Sequence, residues 1–546
     1  MTVFALALLA GCRSESACVR CDTIVIAATG EPQSILPPLV VETVGRDISD
    51  QIFEHLANLA SGAPTVDTAA YRPALAERWE RVDSLTLRFH LRPGAIWQDG
   101  QPVTAGDVVF SFNAFADSVL DAPARGALAS IASVTAEDSS TVRIRFARVY
   151  PEQLYDATYQ VRVFPAHIWS GIPREKWGSD TATSRLVGSG PYRIARWERG
   201  QSLTLVADTV GGRRARIGNA IWRFTTDPEA ALNLVLSGEA DLLETLGSPE
   251  RAARVAADSS LRAVRYPAAV YGYLGYQLGH PTTASAAILA DRTVRRALNM
   301  AIDRGALALA AFGPGSKAPP GPISQGQWIW DDSITVLPYD TARASRTLTE
   351  AGWKQDPDRV RRKNGRPLEF EILIPTTSLG RRRLAEAVQE DWRRIGVDAT
   401  ISAVDFPVFM ERLGKGKFDS YIGAWLNEPS PRTIFDQWTR GGIGTLNYGH
   451  YANPEFDRLA ERAASLADPA AARREWRAAF DTLNGDAPAI FLYSPENVAA
   501  VSRRISGLEI DPYSWLSGLS AVTLLGGAGP AGTVKRQPSV GSSGRE

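Results

Sequence analysis

The segment from Phe370 to Val404 constrains the fold more than any other part of the chain. Phe370-Glu371-Ile372-Leu373-Ile374 reads as a strand, Arg382 to Ile395 as a helix, and Val397 to Val404 as a second strand. Strands joined through a helix run parallel in one sheet, so this rhythm predicts a parallel or mixed sheet flanked by helices, an α/β architecture. A helix from Asp291 to Leu309 precedes it, and a helix over Ala471 to Leu483 and a strand over Ala489 to Tyr493 follow. The first half mixes elements without a long run of that unit. Thr23 to Ala28 is a strand, and Ile48 to Leu59 predicts an amphipathic helix with Ile48, Ile52, Phe53, Leu56 and Leu59 on one face. Leu85 to Leu91 and Val142 to Phe146 alternate apolar and polar residues as half-buried strands do. Thr104 is placed to cap a helix carrying Val108, Val109, Phe112 and Phe115.

A chain of 546 residues exceeds what one core accommodates and implies about three or four domains. All three cysteines lie before residue 22, so the cores hold by packing and not by a disulfide framework. The apolar run Thr2 to Leu9 is too short to span ~30 Å of hydrocarbon. It ends in Leu9-Ala10-Gly11-Cys12, which resembles a bacterial lipobox, although no Lys or Arg precedes it. Residues 1–21 are then a signal peptide, lipobox and tether, with Cys12 acylated and membrane lipid as a partner. Cys18 and Cys21 form a CxxC pair in that tether, either a local disulfide or idle thiols. The 60 basic residues balance the 60 acidic ones, so no net field draws the chain to nucleic acid. From Gly526 the chain is rich in Gly, Ser and Pro, and 526–546 is expected to be a disordered tail.

Catalytic and metal motifs are missing. The five histidines, at 55, 90, 167, 280 and 450, give no HExxH or HxxxH spacing, and no second CxxC completes a metal site. No GxSxG elbow or Walker A sequence occurs, and the glycines at 442, 444 and 449 fail the GxGxxG spacing. No metal, cofactor or enzymatic activity is expected; a hydrolase with dispersed residues is the competing enzymatic reading.

Several segments carry a chain-long resemblance. Phe89-His90-Leu91-Arg92-Pro93-Gly94 leads to Asp99-Gly100-Gln101-Pro102-Val103-Thr104-Ala105-Gly106-Asp107-Val108. Gly188-Ser189-Gly190-Pro191-Tyr192, Ser237-Gly238-Glu239-Ala240-Asp241 and Asp291-Arg292-Thr293-Val294-Arg295-Arg296-Ala297-Leu298 follow in order, with Ala301-Ile302-Asp303-Arg304 after them. This series resembles bacterial extracellular solute-binding proteins of family 5, the peptide- and nickel-type binding subunits of ABC importers. The resemblance implies a periplasmic-binding-protein type II-like fold, with two lobes joined by hinge crossings plus an inserted α+β domain. Lobe one would take 22–60, 185–266 and 487–525, the inserted domain 61–184, and lobe two 267–486.

By the same resemblance Val41, Glu42 and Thr43 would run beside the ligand, lending backbone groups as an added strand does. Tyr273, Tyr276 and Gln277 follow the hinge crossing and should face the cleft. Placing Asn427-Glu428-Pro429 on the matching triplet of the oligopeptide binders puts Trp425 where they carry an ammonium-binding aspartate. Glu428 or Asp436 would have to replace it, and otherwise no strong preference for a free α-ammonium is expected. The implied function is capture of a peptide or similar small solute by a monomeric, membrane-anchored lipoprotein on the periplasmic or extracellular face, for delivery to a permease. A non-peptide solute (an opine, sugar or chelate) and a ligand-loaded sensor are the alternatives, and the scarcity of histidine disfavours nickel.

Overall fold

A computed structural model describes residues 21–211, 213–279 and 285–525. The proposed lipidation site Cys12, Cys18 and the expected tail lie outside them, whereas Cys21 is disulfide-bonded. Strand Thr23–Ala28 sits near the middle of a seven-stranded mixed sheet, parallel to Asn219–Phe224 and to Leu242–Leu243. Its alternation explains that position. Ile24, Ile26 and Ala28 enter one core while Val25 and Ala27 enter another on the opposite face, as a strand covered on both sides requires. This sheet is the first lobe.

The second lobe is built on a five-stranded sheet in the order Asp398–Val404, Glu369–Pro375, Ser420–Leu426, Val270–Tyr276, Ala489–Tyr493. The first two of these strands are parallel and joined by helix Leu379–Arg394, the crossover predicted from the sequence. Leu384, Ala385, Val388 and Trp392 bury the helix face, and Trp392 Nε1 donates to the Leu298 carbonyl at 3.0 Å. A separate four-stranded antiparallel sheet, ordered Ala76–Asp83, Thr86–Leu91, Thr141–Phe146, Ile131–Ala136, packs on the first lobe. Its Phe89, Val142 and the Phe112 of helix Ala105–Ala116 share one buried cluster with Ile24 and Ile26. Asp107 closes that helix start by accepting from the Thr104 amide at 2.8 Å.

Two adjacent strands pass between the lobes. Leu261–Pro267 pairs with Glu496–Ser502 in the first sheet, and Val270–Tyr276 pairs with Ala489–Tyr493 in the second. The crossings are therefore 268–269 and 494–495. The second falls later than the boundary expected at 487, because the fully buried run Ala489–Tyr493 completes the second sheet before the chain returns.

Two predicted helices differ. The helix expected over Ile48 to Leu59 runs instead over Thr43–Ile52, and Ala57–Leu59 is a strand paired with Tyr71–Pro73. Long-range partners draw the backbone out of the helix: the Gly190 amide takes the Ile52 carbonyl at 2.8 Å and the Val163 amide takes that of Glu54 at 2.9 Å. A Cβ at Gly188 would lie 1.8 Å from the Ile52 oxygen, so the Gly188-Ser189-Gly190 segment is a docking surface for this helix end. The helix expected from Asp291 to Leu309 breaks into Arg292–Met300 and Arg304–Phe312, with Asp303 capping the second through the Ala306 amide at 2.9 Å.

Candidate functional site

A cavity of about 360 Å³ opens where the three sheets' surroundings meet. Helix Thr43–Ile52 sends Arg46 and Asp50 to it, the 159–162 segment adds Tyr159, Gln160 and Arg162, and the second lobe contributes Trp328 and Glu428. The volume is at the small end of the ~300–1,000 Å³ common to small-molecule sites.

Most of its charges are already matched. Asp50 pairs with Arg162, accepts from Ser514 Oγ at 2.7 Å and has His55 Nε2 at 3.7 Å. Burial works to raise the Asp50 pKa, but Arg162 and His55 overturn it and hold the carboxylate below its ordinary range. Glu54 is bound by Arg92 at 2.7 and 2.9 Å and by Arg213 at 2.8 Å. Asp511 accepts from the amides of Tyr513 and Ser514 at 2.7 and 3.1 Å. Arg46 is the exception: its guanidinium makes no hydrogen bond or ion pair among the described residues. Burial works to lower its pKa, yet the fields of Tyr159, Asp50, Glu428 and Asp47 leave it raised, so it stays charged. Trp328 Nε1 is buried without a partner.

The second lobe closes over this cavity along a seam of side chains. Arg432 Nη2 donates to both Asp156 carboxylate oxygens at 2.8 Å, Ser430 Oγ donates to Glu152 at 2.8 Å, and Gln160 Nε2 donates to Glu428 at 3.3 Å. Asp156 is fully buried, and burial outweighs Arg432 there, pushing its pKa up to about 6. Burial also opposes the charge on Arg432, but its side chain is 30% exposed. There the attraction of Asp156 and Glu152 wins and the pKa is raised.

The cavity takes its lining from both lobes, and residues 70–445 match the model of bacterial extracellular solute-binding proteins, family 5. The chain belongs to this family. It is 26% identical over 490 residues to protein XP55 of Streptomyces lividans, covering 89% of this chain and 86% of that one. The solved oligopeptide-binding protein AppA of Bacillus subtilis, in complex with a nonapeptide, is 22% identical with a TM-score of 0.72, over 92% of this chain and 98% of that one. NikZ of Campylobacter jejuni, in complex with Ni(L-His), is also 22% identical, with a TM-score of 0.73 over 92% and 100%. Those two ligands share little chemistry, so the common fold does not fix what this family 5 protein binds.

Of the nine ligand residues expected from the sequence, Glu428 is the one that lines the cavity. Val41 is 70% exposed, Glu42 has extended backbone and precedes helix Thr43–Ile52, and Thr43 opens that helix; none of the three lines this cavity. Tyr273, Tyr276 and Gln277 are interior to the second lobe. The Tyr273 and Tyr421 hydroxyls share a hydrogen bond at 2.6 Å, Gln277 Nε2 donates to the Gly416 carbonyl at 3.4 Å, and Tyr276 borders a void of about 10 Å³. Trp425 stacks on Tyr448 at 6.0 Å and donates to the Tyr273 hydroxyl at 3.0 Å, so it is a packing residue at a strand end. Asn427 braces the hinge, donating its amide N–H to the Ala269 carbonyl at 2.7 Å and its side chain to Gln327 at 2.7 Å. Asp436 lies on helix Thr433–Trp438, where burial raises its pKa and Arg432 partly offsets that.

Proposed function

We propose that this family 5 protein is the extracytoplasmic solute-receiving subunit of an ABC importer, which encloses a small solute between its lobes and presents the closed form to a permease. The seam from Gln160 and Asp156 to Glu428 and Arg432 carries this reading, because it joins the inserted domain, which packs on the first lobe, to the second lobe beside the cavity through breakable side-chain contacts alone. We assign 22–60, 185–266 and 496–525 to the first lobe, 61–184 to the inserted domain and 267–493 to the second lobe. A peptide or a solute of similar size suits the cavity volume. Among the described residues no helix is long and apolar enough to cross a membrane, and acylation of Cys12 would supply the attachment.

Solution scattering and melting test the proposal together. A bound solute should reduce the radius of gyration by hinge closure and raise the melting temperature by mass action. A solute bound at micromolar affinity that changes neither quantity rejects it. Replacing Cys12 with serine should move the folded protein from the membrane to the soluble fraction, and retention in the membrane rejects the lipid anchor.

A further inference from the structure

Away from the cavity, the Gly188 to Tyr192 segment meets a second loop. The Asp208 amide donates to the Pro191 carbonyl at 2.8 Å and brings residues 208–211 against Ser189. Asp208 is 2% exposed and Ser189 1%. Asp208 Oδ2 accepts from the Gly211 amide at 2.5 Å. Its Oδ1 and the Ser189 hydroxyl are buried with no hydrogen-bond partner among the described residues. Nor does a cation reach this carboxylate among them, since Arg213, two residues past Gly211, is taken by Glu54 at 2.8 Å. A buried carboxylate that faces no positive charge is costly to the fold.

Neutral oxygens complete the surroundings. A Cβ at Gly211 would lie 2.9 Å from Asp208 Oδ2, 3.9 Å from the Ile96 oxygen and 4.0 Å from the Ser189 oxygen, so oxygens from three segments converge on one point. Ile96 presents its carbonyl because the bonds around it are made by its neighbours. The Val103 amide donates to Ala95 at 2.9 Å and the Trp97 amide to Gln101 at 2.8 Å, a pattern that turns the intervening carbonyl outward. One carboxylate oxygen, one hydroxyl and two carbonyls are hard donors, the set that suits Na⁺ or Ca²⁺ with waters in the remaining positions. No cluster of three His, Cys, Asp or Glu that could hold a metal occurs among the described residues. Backbone carbonyls and a serine leave no spacing motif, which is why the sequence shows none.

We propose that Asp208, Ser189 and the carbonyls of Ser189 and Ile96 bind one hard cation, Na⁺ or Ca²⁺, which fastens the inserted domain to the first lobe. Ile96 belongs to the inserted domain and the other two residues to the first lobe. None of the three lines the cavity between the lobes, so this ion is a structural partner and not the solute. Val210, 47% exposed, leaves the loop open to entry from solvent. A site with a single carboxylate binds weakly, in the range of ~10⁻⁴–10⁻³ M that serves extracellular Ca²⁺ modules.

The test strips the full chain with EDTA, exchanges it into choline chloride and follows its melting temperature against NaCl, CaCl₂ and MgCl₂ at fixed ionic strength. Na⁺ or Ca²⁺ should raise it by mass action, and the arm that responds names the ion. Mg²⁺ should do less, because it sheds water reluctantly and demands near-ideal octahedral geometry. Asp208→Asn keeps an acceptor for the Gly211 amide and should weaken the ion at least tenfold, and Ser189→Ala should weaken it a few fold. Equilibrium dialysis of the unaltered chain with the responding ion should find one ion per chain, a readout that holds even if a variant fails to fold. A melting temperature indifferent to both ions, a response that Asp208→Asn retains in full, or dialysis that finds no bound ion would each overturn the proposal.

Discussion

The second lobe meets the rest of the chain along two edges that are built from different bonds. At the hinge edge the backbone itself is paired: the Ala268 amide donates to the Pro495 carbonyl at 3.0 Å, the Asn427 amide to that of Ala269 at 2.7 Å, and Lys317 and Ser494 exchange bonds of 3.0 and 2.7 Å. At the opposite edge every contact named above uses a side chain, centred on Arg432, Asp156 and Glu152. Backbone ladders survive substitution because no side chain makes them. Ion pairs between the inserted domain and the second lobe depend on both partners and vanish when the two part. If the lobes close on solute as proposed, the hinge edge is where stability resides and the seam is where open and closed forms would differ.

Removing the cation from the seam gives the largest effect. Arg432→Met leaves Asp156 and Glu152 facing the second lobe without a cation, and a buried charge stripped of its partner costs about 3–5 kcal/mol. The lobes can avoid that cost by opening. We expect a larger radius of gyration and weaker solute binding, with the fold itself kept, whereas Arg432→Lys should restore closure in part. A variant that stays compact and binds normally would break the distinction between the two edges.

The hinge edge should respond in the opposite way. A Cβ at Gly272 would lie 2.0 Å from the Tyr493 ring, which stacks on Phe312 at 4.1 Å. Gly272→Ala forces that stack to shift, at about 1–3 kcal/mol by analogy with overpacked cores. The melting temperature should fall while solute still compacts the protein. Loss of compaction at unchanged stability would mean that Tyr493 belongs to the moving parts.

The same contrast explains what could be read from the sequence. The two-lobe mixed α/β fold was legible because strands such as Thr23–Ala28 and Ala489–Tyr493 are buried on both faces and show it as unbroken apolar runs. The helix end at Ile52 was not, because Phe53, Leu56 and Leu59 keep helical spacing while Gly190 and Val163, distant in the chain, take the backbone bonds. The break before Arg304 had a local signal in the capping residue Asp303. The site was mostly hidden. Arg46, Tyr159 and Trp328 come from three segments whose meeting only the fold reveals, and a free arginine on a helix looks like any solvated one. Glu428 was visible because a triplet register pointed to its loop.

The smallest expected effect is a pH slope, and it separates the two edges once more. At the seam the Asp156 pKa rises from 3.8 to about 6; beside the hinge, burial pushes that of Glu244 from 4.5 to about 7. Glu244 neighbours Asp47, which burial and Glu244 itself raise and Trp515 Nε1, at 2.6 Å, partly stabilises. Both shifts are upward, so between about pH 4 and 7 the folded chain holds protons that the unfolded chain has released. Stability from those protons is complete below the ordinary carboxylate values and is lost as pH rises through about 6 and about 7. Asp50 has the opposite sign, but its depressed pKa makes its contribution constant across this window and lost only in stronger acid. Denaturant unfolding should therefore show stability declining by about 2–3 kcal/mol per group as pH is raised from 4.5 to 7. Asp156→Asn should remove the part centred near pH 6, together with any pH dependence of closure. Glu244→Gln should remove the higher part and leave closure alone. If Glu244→Gln instead abolished the pH dependence of the radius of gyration, the hinge edge would be a moving part, and the division drawn between the two edges would be wrong.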